Sequence, residues 1–206
     1  ALRDYPEARA FWWPRFERIA RWFAGFEIAR RNDIATVHAE IRGRVELPMG
    51  TEAFTLTGRA DRIEIGTDGR ATIVDYKTGR APTSTQVQSG ISPQLTLEAG
   101  MLRRGGFEGV AAGLSVAGLL YVQLRGGEPP GALCPVEFRD NATFDDEAEK
   151  AIAQLAKLVA AFADDAMPYR SLVRPQWSKQ YGDYDHFARV REWSAVGGMD
   201  EPGASG

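Results

Sequence analysis

One stretch of this chain is patterned for a single structure, a β-hairpin whose two strands each carry an acidic residue. Apolar and polar residues alternate along residues 53–65 and again along 71–77, as they do in half-buried strands. Between these strands, Thr67-Asp-Gly69 supplies the polar residues and the glycine of a tight turn. The acids, Asp61 and Asp75, lie at similar distances from that turn. The hairpin therefore constrains both the fold and the chemistry of the chain.

The length of the turn decides whether the two acids share a face of the sheet. A two-residue loop would pair Asp61 with Tyr76 and place the acids on opposite faces, whereas a three-residue loop pairs Asp61 with Asp75. Gly69 suits the left-handed conformation that the longer loop requires. We therefore predict the three-residue loop, with both acids on one face.

Two carboxylates beside an ammonium group are suited to metal-assisted cleavage of a phosphodiester. Lys77 follows Asp75 by two residues, so the two side chains share a face. Opposed carboxylates repel each other unless a cation lies between them or one of them is protonated, and Asp61 and Asp75 can hold a divalent cation through oxygen ligands. The same register predicts an apolar floor made by Ile63 and Ile73. A surface ion-pair ladder is the competing interpretation, and charge spacing alone does not decide between the two.

Composition limits the remaining function classes. The chain has 206 residues, enough for one domain with a substantial core, and a formal net charge of −3. Free-standing DNA-binding domains are usually basic, so this charge argues against autonomous DNA binding but allows an enzyme that relies on a partner for grip. A single cysteine, Cys134, excludes an iron–sulfur cluster held within this chain. No apolar run approaches a membrane span and no signal peptide is visible, so we predict a cytoplasmic protein without membrane contact.

The order of predicted elements indicates an α/β protein with a mixed sheet of about five strands flanked by helices. The first helix, at residues 6–31, carries an aromatic stripe that includes Phe16. We expect this stripe to pack in the core rather than to form a stacking surface for bases. The further elements are strands at 34–47, 53–65, 71–77, 112–125 and 133–139, and helices at 92–104, 144–164 and 183–194. We predict one domain over residues 1–195, cut from a longer polypeptide, and a flexible tail over 196–206.

Three segments together resemble the RecB-like nuclease branch of the PD-(D/E)XK superfamily. They are Gly58-Arg-Ala-Asp-Arg-Ile-Glu64, Ile73-Val-Asp-Tyr-Lys-Thr-Gly79 and Pro93-Gln-Leu-Thr-Leu-Glu-Ala99. The Asp-x-Lys motif alone is a weak signal. The specific signal is an ordered series, in which an acid is followed by Asp-Tyr-Lys-Thr-Gly and then by a helix with a Gln. Within this branch the chain is similar to the AddB family, also through Phe11-Trp-Trp-Pro-Arg-Phe16 and residues 183–193. The resemblance implies a restriction-endonuclease-like core.

The resemblance also implies a role for each residue of the motif. It implies that Asp61 and Asp75 bind Mg²⁺ or Mn²⁺, together with the backbone carbonyl of Tyr76. It implies that Lys77 polarises water or stabilises developing charge. Gln94 resembles the helix glutamine that positions this lysine or the DNA backbone.

The chain departs from the family pattern at two places. Glu98 stands where many relatives have a tyrosine, so a tyrosine contact to the DNA backbone is not expected. The family also has an earlier motif whose His or Glu completes the metal shell, and its position in this chain is open. Glu40 and His38 are one candidate pair, although they lie on a predicted strand. The other alternative places the motif upstream of Ala1, which would leave the cation short of a ligand.

The resemblance implies a metal-dependent deoxyribonuclease of the exonuclease type. Its family setting is a helicase–nuclease complex that resects double-strand breaks for recombinational repair, with DNA as substrate and an AddA-type helicase–nuclease subunit as partner. The glycine-rich stretch 126–131 lacks the Gly-Lys-Ser/Thr of a P-loop, so a motor must come from that partner. The alternative is a catalytically weak or inactive nuclease-fold scaffold that guides DNA and docks the partner.

Overall fold

The computed structural model describes residues 6–49 and 52–164. The helices are α1 (Pro6–Arg30), α2 (Ser84–Gln88), α3 (Gln94–Arg103) and α4 (Phe144–Phe162). The strands are β1 (Ile34–Met49), β2 (Glu52–Gly66), β3 (Ala71–Lys77), β4 (Val116–Leu124) and β5 (Gly131–Pro135). None of the helices within the described ranges has the length and apolar character needed to cross a bilayer.

The chain divides into a compact unit over Ala1–Ala160 and a second unit over Ala161–Gly206. Of the second unit the structure describes only residues 161–164. The predicted helix at 183–194 and the predicted tail at 196–206 lie outside the described residues. The single domain predicted over 1–195 therefore stays a prediction.

The five strands form one mixed sheet in the order β1-β2-β3-β4-β5. Neighbouring strands are antiparallel except for β3 and β4, which run parallel. A parallel pair requires a crossover connection, and here it runs through α2 and α3. The predicted α/β architecture, a restriction-endonuclease-like mixed sheet flanked by helices, is confirmed.

The two faces of the sheet are covered by different helices. On one face, Val74 and Val122 pack with Phe26 of α1. On the other face, the alternate strand residues pack with α3 and α4 in the main core, which includes Ile63, Ile73, Leu95, Leu102, Leu119 and Ile152. Because side chains alternate along a strand, Asp75 and Lys77 belong to the face of α3, and Tyr76 belongs to the face of α1.

The turn of the β2–β3 hairpin has the predicted length. The backbone N–H of Gly66 donates to the carbonyl of Arg70, which leaves a three-residue loop, and Gly69 within it has φ +77°. The adjoining ladder pairs Ile63 with Ile73, and both side chains are fully buried. The apolar floor is thus present, and the same register continued toward the strand ends places Asp61 opposite Asp75.

Several elements differ from the expectations. The polar loop after β3 contains a short helix, α2, because Thr83 and Gln86 form a reciprocal capping box at its start. Helix α3 begins at Gln94 rather than at residue 92, and it has no side-chain cap, since its N-cap residue is Pro93. The aromatic stripe of α1 is only half buried: Phe26 lies in the core, but Phe16 is 58% exposed. The expectation of core packing along the whole stripe was wrong.

Helix α3, which carries Gln94, is held close to α4 by a glycine. A Cβ built on Gly100 would lie 2.4 Å from Cγ1 of Ile152, well inside van der Waals contact. Any side chain at this position would push the two helices apart. Gly100 therefore permits the close approach of α3 to α4.

Candidate active site

The hairpin brings the predicted acids and lysine together at one end of the sheet. Oδ2 of Asp61 accepts a hydrogen bond of 3.0 Å from the backbone N–H of Tyr76, which fixes the Asp61 carboxylate beside the end of β3. Nζ of Lys77 lies 2.7 Å from Oδ2 of Asp75. The carboxylate of Asp61 is near enough to contribute to a raised pKa of Asp75.

Asp75 is the most buried of these groups, with 2% of its surface exposed. Burial raises the pKa of its carboxyl, and Asp61 adds to this, whereas Lys77 and Gln94 oppose it. Oδ1 accepts a hydrogen bond of 2.6 Å from Nε2 of Gln94. Oδ2 is also buried, and it forms an ion pair with Nζ of Lys77.

Gln94, the first residue of α3, links the lysine to the acids. Its Oε1 accepts a hydrogen bond of 3.1 Å from Nζ of Lys77. Its Nε2 donates both to Asp75 and, at 3.2 Å, to Oε1 of Glu98. The two acceptors fix the amide so that its oxygen points to Lys77. The predicted association of Gln94 with Lys77 therefore exists as a direct contact.

Glu98 belongs to the same cluster, although its place in the sequence indicated only a departure from the family pattern. It lies one helical turn after Gln94 and is 5% exposed. Burial raises the pKa of Glu98 to about 7, and the neighbouring charges of Asp75 and Asp61 add to the effect. Its Oε2 is buried without a hydrogen-bond partner. The spacing of four residues from Gln94 was the sequence signal that could have identified it.

Tyr121 is the second group that sequence reasoning missed. It lies on β4 directly beside Asp75, and its hydroxyl is buried without a hydrogen-bond partner. Burial, and then the charges of Asp75 and Glu98, raise the pKa of Tyr121. Nζ of Lys77 lies 5.8 Å from the centre of its ring. Nothing in the apolar pattern of β4 distinguished this tyrosine from a core residue.

Tyr76 has its side chain on the opposite face, where its ring packs against Phe23 at 5.8 Å. Only its backbone can serve the site. Arg62 also lies on that side and forms ion pairs with Glu27 and Glu64. The competing ladder of Asp61, Arg62, Asp75 and Lys77 is therefore not formed, because Arg62 is engaged elsewhere.

The arginines near the motif are mostly neutralised by acids of the chain. Arg59 pairs with Glu40 at 2.6 Å, and Arg103 and Arg104 pair with Glu149 at 3.0 and 2.6 Å. These three side chains are therefore poor candidates for contacts with DNA phosphates.

The described residues do not identify the His or Glu that completes the metal shell in the family pattern. Glu40, on β1, has a positive φ of 55° and its carboxylate is engaged by Arg59. His38, also on β1, lies opposite Ile63. Over residues 6–49 and 52–164, no group of three or more His, Cys, Asp or Glu side chains is arranged to hold a metal ion.

The donor chemistry of the cluster nevertheless fits a hard divalent cation. Mg²⁺ and Mn²⁺ prefer carboxylate and carbonyl oxygens, and Asp61 and Asp75 supply carboxylates at one strand end. The buried Oδ2 of Asp75, whose charged partner here is Nζ of Lys77, is the kind of atom that a cation would satisfy. Mg²⁺ usually keeps several waters, so a site with few protein ligands suits it better than Ca²⁺.

The profile of the PD-(D/E)XK nuclease superfamily matches residues 3–176 of this chain. The chain therefore belongs to the PD-(D/E)XK nuclease superfamily. Membership implies a nuclease, a hydrolase of phosphodiester bonds, and nucleases of this superfamily generally use Mg²⁺ or Mn²⁺.

Uncharacterized proteins of Rickettsia are similar to about half of the chain. One from Rickettsia typhi is 35% identical over 99 residues, which is 48% of this chain and 12% of that protein. One from Rickettsia felis is 36% identical over 96 residues, which is 47% of this chain and 11% of that protein. The matched segment is thus about one eighth of each relative's length or less. Among solved structures, the crystal structure of SSO0001 is 20% identical, with a TM-score of 0.35, over 64% of this chain and 56% of that one.

Proposed function

We propose that this chain is the nuclease domain of an AddB-type protein, a metal-dependent exonuclease in a helicase–nuclease complex that resects double-strand breaks for recombinational repair. The observation that carries the proposal is the position of Asp61 and Asp75 at one strand end, with Lys77 2.7 Å from Asp75. In a nuclease superfamily, this trio supplies cation ligands and a positive charge at the same point.

The mechanism follows from the positions of these groups. Asp61, Asp75 and the backbone carbonyl of Tyr76 would hold Mg²⁺ or Mn²⁺, which when bound lowers the pKa of water and neutralises phosphate charge. Lys77 orients the attacking water and stabilises the charge that develops on the phosphate. Gln94 holds the ammonium group of Lys77 at 3.1 Å and so keeps it directed at the cleavage point.

The partner is proposed because the charges of this chain provide little attraction for DNA. A net charge of −3 provides little long-range attraction for DNA. Arg59, Arg103 and Arg104 are paired with carboxylates of the chain itself. An AddA-type helicase–nuclease subunit would deliver the DNA strand and supply the motor. The cytoplasm is the proposed location.

A scaffold without catalysis is the second candidate, and one observation favours it. Within the described residues no three potential metal ligands converge, so a cation would rely on two carboxylates and a carbonyl. In that case the acids would serve only as partners of Lys77 and Gln94. The domain would guide DNA and dock the helicase–nuclease subunit.

Replacing Lys77 with Met separates these two candidates. If the domain is catalytic, the intact protein in complex with its helicase–nuclease partner should lose cleavage of one DNA strand by about a hundredfold or more, because a positioned charge at the transition state is removed. Each strand is followed with its own end label under single-turnover conditions. Met retains most of the aliphatic stem of Lys77, so the volume of the side chain at this position is largely kept.

Lys157→Met is the matched control, because Lys157 is an exposed lysine on α4. It should leave cleavage of both strands within about twofold of wild type, as expected for a surface substitution. Wild-type cleavage of both strands by the Lys77→Met complex would support the scaffold instead.

A further inference from the structure

An apolar groove lies at the end of the sheet, beside the exposed half of α1. The groove has a volume of about 760 Å³ and is lined by Trp12, Arg15, Phe16, Thr78, Leu124 and Arg125, among others. Trp12 and Phe16 are 54% and 58% exposed, a large apolar area to leave in water. Aromatic rings of this kind provide flat surfaces on which bases can stack.

The charge of the groove is suited to a polyanion. Its lining includes Arg15 and Arg125 and no acidic residue. Neither arginine forms an ion pair with a carboxylate among the described residues. Arg15 lies over the ring of Phe11, 4.1 Å from its centre. Arg15 and Arg125 thus differ from Arg59, Arg103 and Arg104, which form ion pairs with carboxylates of the chain.

The groove ends at the same edge of the sheet as the candidate active site, but on the opposite face, which α1 covers. Thr78 lines the groove and directly follows Lys77 at the carboxyl end of β3. Leu124, the last residue of the parallel strand β4, lines it as well. Because neighbouring parallel strands end at the same edge of a sheet, the groove and the acids meet at that edge. A strand lying in the groove, on the face of α1, would therefore have to pass over this edge to reach Lys77 on the face of α3.

We propose that this groove binds single-stranded DNA next to the cleavage point, with bases stacked on Trp12 and Phe16 and phosphates contacted by Arg15 and Arg125. The proposal rests on the nuclease function for the identity of the bound strand. Stacking on aromatic rings tolerates any base, because every base has a π-face. The groove would therefore hold the strand without sequence preference.

The first test compares single-stranded DNA affinities of the intact protein by fluorescence anisotropy. All variants carry Asp75→Asn, so that binding is measured without cleavage. Adding Trp12→Ala and Phe16→Ala should weaken binding of a thymidine oligonucleotide about tenfold or more. An abasic oligonucleotide of equal length should lose much less affinity, because it offers phosphates but no bases. Ile28→Ala, on the same helix and 74% exposed, is the control and should leave both affinities unchanged.

The second test locates the DNA and does not depend on other DNA-binding parts of the protein. An oligonucleotide carrying 5-iodouracil is photocrosslinked to the intact protein, and the modified peptides are identified by mass spectrometry. Crosslinks at Trp12 or Phe16 are expected. Absence of crosslinks at Trp12 and Phe16 would overturn the proposal. The proposal would also be overturned if Trp12→Ala and Phe16→Ala weakened only the association with the helicase–nuclease partner. Neither result would contradict the nuclease function, which is tested separately by measuring cleavage with Asp75 intact.

Discussion

Replacing Asp75 with Asn should lower DNA cleavage by the intact protein on the order of a thousandfold. A bound divalent cation contributes several kcal/mol to stabilising the transition state, and each 1.4 kcal/mol corresponds to about tenfold in rate. Asn keeps the size of Asp75 and an acceptor for Nε2 of Gln94, but it removes the negative charge that holds the cation. Cleavage is measured at saturating DNA and across a range of Mg²⁺ concentrations.

The control for Asp75→Asn is Asp68→Asn, at the turn of the same hairpin. Asp68 accepts a hydrogen bond of 3.0 Å from the backbone N–H of Arg70, and Asn retains this acceptor. Cleavage by Asp68→Asn should stay within about twofold of wild type. Thermal unfolding of both variants shows that the fold is kept. A folded Asp75→Asn protein that cleaves DNA at the wild-type rate would contradict the assigned role of Asp75.

Replacing Glu98 with Gln should change how stability depends on pH. Burial raises the pKa of Glu98 from 4.5 to about 7 in the folded protein. Between these values the folded state binds more protons than the unfolded state, so the free energy of unfolding falls as pH rises from about 5 to 8. Gln cannot ionise and resembles the protonated acid. The variant should thus lose less stability over this range, by on the order of 3 kcal/mol, at about 1.4 kcal/mol per pKa unit.

The measurement for Glu98→Gln is urea unfolding at pH 5 and pH 8 in EDTA, which removes cations that would stabilise the charged carboxylate. Part of the slope will remain in the variant, because burial also raises the pKa of Asp75. Glu149→Gln is the control. Arg104 and Arg103 lower the pKa of the exposed Glu149, so its titration falls below this window and its substitution should not alter the slope. Equal slopes for wild type and Glu98→Gln would contradict the inferred burial of the Glu98 charge.

The hairpin and its register were predictable because local chemistry determines them. Gly69 favours the left-handed position of a three-residue loop, and the loop length in turn fixes the pairing of Ile63 with Ile73. The side-chain period of two then places Asp75 and Lys77 on one face. The mixed sheet and its flanking helices followed from the order of periodic segments.

The remaining parts of the site depend on contacts between distant segments. Tyr121 reaches Asp75 only because β4 runs parallel to β3 in a particular register, which its apolar sequence does not specify. The burial of Glu98 depends on how α3 packs in the core, where Gly100 permits close contact with Ile152 of α4. The exposure of Phe16 likewise depends on where α1 leaves the sheet. Helical periodicity shows which side chains share a face of the helix, but it does not show what covers that face.

The proposed function depends on a divalent cation that Asp61 and Asp75 bind together beside Lys77. Crystals of the intact protein soaked in Mn²⁺ test this binding through anomalous difference density. We expect a peak between the carboxylates of Asp61 and Asp75, with the Tyr76 carbonyl next to it. No peak there, or an Asp61 carboxylate turned away from Asp75 and Lys77, would contradict it.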